Sequence, residues 1–152
     1  MDKIKIISGG QTGVDQGALD FALDHGYECG GFCPRGRKSE KGIIPYRYPV
    51  SEIESEEYID RTKRNILESD GTLIIRDTIE IQGGVLDTIQ LCTQFSKPYL
   101  IVNISEEYNN EEVIKWISFN KIKTLNIAGN RESINPGLRG KTYLYLIDLF
   151  EV

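Results

Sequence analysis

Short apolar runs alternate along this chain with longer stretches of helical period. Ile4-Lys5-Ile6-Ile7 has strand length, and Val14, Ala18, Phe21 and Ala22 after it recur at the spacing of one helix face. Gly26 is placed to end that helix, and Tyr27–Phe32 reads as a short second strand. Ile59, Thr62 and Ile66 predict a helix over Tyr58–Ser69, and Thr72–Ile75 a buried strand. Leu86, Ile89 and Thr93 predict a helix over Val85–Ser96, with Tyr99–Val102 a further strand behind Pro98. Asn109 and Asn110 are candidate caps for a helix carrying Val113, Ile114 and Ile117. Thr124–Ala128 is the last strand, and Pro136-Gly137 precedes a closing helix with Tyr143, Ile147 and Phe150. Such alternation predicts an α/β fold with a parallel sheet.

Three of these strands, ending at Ile7, Ile75 and Ala128, run into glycine-bearing loops that lead towards helices. With right-handed crossovers the three ends share one edge of the sheet, where open α/β sheets take ligands. The first of these turns, Ser8–Gly13, is the centre of the pattern. Gly9, Gly10 and Gly13 allow positive φ and close backbone approach, and the helix that follows offers free N–H groups to an anion. A tight turn that binds nothing is the competing reading. The turn lacks both G-x-G-x-x-G and a Gly-Lys-Ser/Thr continuation. The second turn holds Gly83-Gly84.

Candidate chemistry collects near that edge. Ser8, Gln11 and Thr12 are neutral donors, and Asp15 either complements the helix dipole or meets the ligand. Arg131 stands just past the last strand, at the predicted crevice mouth. Cys33–Pro49 is a long irregular segment with a basic cluster of Arg35, Arg37, Lys38, Lys41 and Arg47. These are solvated charges or planar anion binders. Arg61 and Asn65 lie one helical turn apart, followed by Asp70, and read equally well as helix surface and cap.

The 152 residues suit one domain, 1–152, and a net charge of −5 argues against nonspecific nucleic-acid binding. No apolar run reaches membrane-span length and no signal-like segment opens the chain, so a cytoplasmic protein is expected. Cys29, Cys33 and Cys92 form neither a disulfide framework nor a zinc pattern, and no metal-binding residues are expected. His25, the one histidine, falls near the end of the first helix, remote from the crevice, leaving no nucleophile triad. No catalytic residue is assigned; Asp15, Glu40 and Asp87 are the carboxylates available for acid–base work.

Five stretches carry a family resemblance: SGGQTGVDQGALD (Ser8–Asp20), GGFCPRGRKSEKG (Gly30–Gly42), IPYRYPVSE (Ile44–Glu52), RTKRNILESDGTLI (Arg61–Ile74) and LNIAGNRES (Leu125–Ser133). In this order and over nearly the whole chain, they resemble the molybdenum cofactor carrier proteins. The resemblance implies a single-domain Rossmann-like three-layer sandwich with a mostly parallel sheet, and a homo-oligomer, dimer or tetramer. It implies a non-enzymatic carrier whose cargo is the molybdenum cofactor (molybdopterin), a phosphorylated pterin dithiolene bearing molybdenum, with molybdoenzymes as recipients. Ser8, Gly9, Gly10, Gln11, Thr12, Gly13, Asp15, Arg37, Gly83, Gly84, Arg131, Glu132 and Ser133 are the implied cofactor-binding positions. Two departures stand out: Arg64 replaces a common aromatic, and Val85 follows the glycines of Ile81–Val85 where a small hydroxyl residue is usual. The wider superfamily includes nucleotide sensors and nucleoside-monophosphate phosphoribohydrolases with a P-G-G-x-G-T-x-x-E loop. Here the matching GGVLDT lacks the glutamate, so a nucleotide-like ligand or its hydrolysis is the alternative.

Overall fold

The apolar runs assemble as the alternation predicts. The computed structural model describes residues 3–77 and 83–152. The chain runs β1 (Lys5–Ile7), α1 (Val14–Asp24), β2 (Cys29–Gly30), β3 (Phe32–Cys33), β4 (Lys38–Ser39), β5 (Gly42–Ile43) and β6 (Ser51–Glu52). It continues through α2 (Tyr58–Glu68), β7 (Gly71–Arg76), α3 (Gly83–Gln94), β8 (Tyr99–Asn103), α4 (Asn110–Phe119), β9 (Thr124–Gly129) and α5 (Leu138–Phe150). Five strands form one parallel sheet in the order β2-β1-β9-β7-β8.

Strand alternation divides the sheet into two faces. Ile6, Leu73, Ile75, Leu125 and Ile127 bury against Phe21, Val113, Ile117, Leu146 and Leu149, so α1, α4 and α5 cover one face. Helices α2 and α3 pack on each other and both touch β9, covering the other. The result is a Rossmann-like three-layer sandwich. At Gly17 a Cβ would overlap the Arg139 carbonyl and stand 3.0 Å from Thr142 Cβ, so glycine is what lets α1 lie close to α5. Asn109 caps α4 by accepting from the Glu112 amide at 3.2 Å, as its position suggested. No described helix is long and apolar enough to cross a membrane.

Four expectations change. Tyr27–Phe32 is not one strand. Gly31 (φ 126) breaks it because a Cβ there would overlap the Ser8 carbonyl, leaving β2 in the main sheet and β3 paired with β6. The Cys33–Pro49 segment is not structureless: β4 and β5 form an antiparallel hairpin, and Ile44, Tyr48 and Val50 bury with Leu19 and Cys33 in a second small core. Gly83 and Gly84 open α3 instead of lying in the loop before it, whereas Ile81 and Gln82 fall outside the described residues. The buried stripes of α2 and α3 also differ. Ile59 is 42% exposed and Leu86 45%, while Arg61, Asn65 and Ile66 of α2, and Val85, Thr88 and Cys92 of α3, are buried. Polar residues take these buried positions because the two helices face a crevice.

Candidate functional site

Strands β1, β9 and β7 are neighbours and parallel, so their ends fall on one edge. The helices that follow β1 and β9 turn to one face, and α3 after β7 turns to the other. Their divergence opens a crevice, as expected at such a switch point. Its inner part, about 70 Å³, is bounded by Gly9, Asp15, Arg61, Thr88, Asn126 and Gly129. An outer part of about 280 Å³ shares Gln11, Arg61, Thr62, Gly84 and Gly129 with it and reaches Tyr58, Asp87, Arg131 and Ile134.

Arg61 stands at the junction. It is 9% exposed, on the first turn and a half of α2. Its Nη1 donates to the Gly9 carbonyl at 3.1 Å and to Asp15 Oδ2 at 3.4 Å. Among the described residues its Nε and Nη2 have no hydrogen-bond partner. Gly9 is what admits it, since a Cβ there would overlap the guanidinium. Asp15 also accepts from the Gln11 amide at 3.2 Å. Burial pushes the Asp15 carboxyl up from its ordinary range, against the pull of the Arg61 charge. Its role is thus wider than complementing the helix dipole: it ties the glycine turn to α2. On the floor, Asn126 donates to the Thr72 hydroxyl at 3.2 Å across the β9–β7 register.

Several implied binding residues are engaged elsewhere. Arg37 does not line the crevice. Its guanidinium donates to the carbonyls of Ile44 (3.1 Å), Val50 (2.9 Å), Pro45 (2.9 Å) and Tyr48 (3.0 Å), which makes it the clasp of the long loop. The Glu132 carboxylate accepts from the amides of Gly137 (2.6 Å) and Arg139 (3.0 Å) and so caps the start of α5. Ser8 Oγ donates to the Ile127 carbonyl at 2.7 Å, joining the ends of β1 and β9. Thr12 and Ser133 donate their hydroxyls to Glu40, and Arg131 Nε stands 3.4 Å from the same carboxylate. Arg131, 45% exposed in its side chain, is at the crevice mouth where its position after β9 put it.

Three amides at the first turn and the start of α1 are already engaged within the protein. The Gln11 amide is taken by Asp15, the Thr12 amide by Gln11's own Oε1 at 3.0 Å and the Val14 amide by the Asn130 carbonyl at 3.2 Å. At Gly10 (φ 79) a side chain would run into Ile44 Cδ1 and Val50, away from the crevice; Gly13 (φ 81) lies against the Asn130–Glu132 backbone. Gly9, Gly84 and Gly129 are the glycines that border the cavity. The sequence pattern misses Asn126 and Thr88, and gives Arg61 and Asn65 equally as helix surface and cap. Asn65 brackets Phe32, accepting from its amide and donating to its carbonyl at 2.9 Å each. Their signal was a polar pair at i, i+4 on the side of α2 opposite Ile59.

The fold and motifs have counterparts among known proteins. The solved structure of a provisionally named molybdenum carrier protein from Syntrophus aciditrophicus SB is 39% identical to this chain. The match covers 99% of this chain and 94% of that one, with a TM-score of 0.88. No curated protein matches. The Circularly permutated YpsA SLOG family matches residues 6–150, nearly the whole length over which the five motifs and the glycine-edged crevice are distributed. The chain therefore belongs to the Circularly permutated YpsA SLOG family.

Proposed function

We propose that the crevice holds the molybdenum cofactor as cargo, protecting it and handing it on without transforming it. The observation that carries this reading is Arg61: a guanidinium nine-tenths buried, with two nitrogens that make no hydrogen bond among the described residues, bordering both parts of the crevice. In a protein of net charge −5, such a group marks a place built for an anion. An anionic group of the cargo suits Arg61, and the N–H edge of a pterin ring suits the Asp15 carboxylate beside it. The outer cavity of about 280 Å³ with its inner extension is at the small end of ligand pockets. The relative's printed name supports this choice of cargo. The reading includes a homo-oligomer and molybdoenzymes as recipients, to be checked by light scattering and by transfer to an apo-molybdoenzyme.

The deciding experiment is mass spectrometry of small molecules that co-purify with the native protein and with Arg61→Met. A phosphorylated pterin with the former and none with the latter is expected; a nucleotide in its place would replace the reading. Asp87 on the outer cavity keeps one alternative in view, hydrolysis of nucleoside monophosphates. Aligned on Gly83-Gly84, its carboxylate comes three positions before the glutamate of the hydrolase loop, whose place Gln90 takes, and is one methylene shorter. We expect no release of free base from AMP; release that is lost in Asp87→Asn would establish the hydrolase.

A further inference from the structure

Glu40 is at the tip of the β4–β5 hairpin, yet its side chain is only 16% exposed. Its carboxylate receives the hydroxyls of Thr12 and Ser133, the Ser133 amide at 3.2 Å and Arg131 Nε at 3.4 Å. The Glu40 amide in turn donates to Gln11 Oε1 at 3.0 Å. These partners come from the first glycine turn and from the loop after β9, the two segments that edge the crevice. Two hydroxyls, an amide and a guanidinium converging on one point are the donor set of an oxyanion site. Arg131 Nη1 and Nη2 have no partner among the described residues, so the set is larger than one carboxylate uses. A phosphate, with three terminal oxygens and a second charge, would use it more fully. The hairpin bearing Glu40 has open space around Gly36 (φ 82) and Gly42 (φ 97).

We propose that Thr12, Ser133 and Arg131 form an oxyanion subsite whose internal occupant is Glu40, and that a phosphate group entering the crevice displaces the Glu40 carboxylate and lifts the hairpin. Without a ligand the hairpin straps the crevice mouth; with one, the same donors hold the ligand. The inference does not depend on which cargo the crevice takes.

Calorimetric titration with inorganic phosphate and with glycerol phosphate tests it on the wild-type chain, Glu40→Gln, Glu40→Ala, and Glu40→Ala combined with Thr12→Val and Ser133→Ala. Removing the competitor in Glu40→Ala is expected to tighten binding of at least one of the two by about tenfold, the size of one charge-assisted hydrogen bond. The ion that gains more tells whether the subsite favours free phosphate or a phosphate ester. The triple variant is expected to lose the gain. Should Glu40→Ala not fold, Glu40→Gln decides, with a gain of about threefold expected from losing the charge alone. The proposal is overturned if neither ion gains in the folded Glu40 variants, or if the gain survives loss of both hydroxyls. Neither failure touches the cargo reading, which is judged on Arg61→Met.

Discussion

Burial decides how much a single charged residue can contribute to a contact. Arg61 is desolvated and held by Gly9 and Asp15, whereas Arg131 is about half exposed and shared with Glu40. A charge-assisted hydrogen bond contributes about 1.5–3 kcal/mol, and an exposed ion pair far less. Arg61→Met should therefore weaken binding of a phosphorylated pterin by roughly ten- to a hundredfold, and Arg131→Ala by less. Titrations giving equal losses would mean that the ligand sits at the mouth and not at the Arg61 junction. Gly10→Asp has a different expected outcome. With φ 79 and Ile44 Cδ1 at 3.0 Å from an added Cβ, the new carboxylate would be forced among apolar side chains. The variant should be destabilised by about 3 kcal/mol or more, visible as a lowered melting temperature before any ligand is added.

At the scale of elements, the long loop matters most. Its irregular sequence does not leave it free: the Arg37 side chain donates to four carbonyls, and Ile44, Tyr48 and Val50 supply a core of their own against α1. Arg37 itself adopts φ 53, a backbone conformation held by the bonds its side chain makes. Arg37→Ala should cost about 2–4 kcal/mol, because several carbonyls lose their donor together. Arg37→Lys should recover little of it, since one ammonium cannot reproduce the planar fork. Hydrogen exchange offers the check: increased exchange over residues 33–50 is expected, with β7 and β9 unchanged. Equal loss of protection in the central strands would show that the loop and sheet unfold as one unit.

For the molecule as a whole, the Glu40 strap links distant parts of the chain to pH. Burial raises the Glu40 carboxyl, but the hydrogen bonds from Ser133 and Thr12 outweigh it and hold the group below its ordinary 4.5. A carboxyl lowered in the folded state stabilises above its unfolded value and loses that contribution as pH falls through the folded one. The melting-temperature difference between wild type and Glu40→Gln should thus be constant above about pH 5.5 and shrink below the ordinary glutamate range. A difference independent of pH down to complete acid unfolding would assign the effect of the substitution to shape and not to charge.

Much of this architecture is local physics and could be read along the chain. Four of the five sheet strands, the Asn109 cap, the end of α1 near Gly26 and the shared edge of three strand ends follow from periodicity, glycine and parallel crossovers. These depend on neighbours a few residues apart, so the amino-acid order alone determined them. The roles of individual polar residues did not follow. Arg37 and Arg61 are both arginines in charged stretches, yet one clasps a loop and the other borders the crevice. Glu132 lies in the last of the five motifs and caps a helix, while Glu40, 93 residues before Ser133, accepts from the Ser133 hydroxyl beside it. Which partner satisfies a charged side chain depends on segments distant in sequence, and only their packing in three dimensions sets those distances.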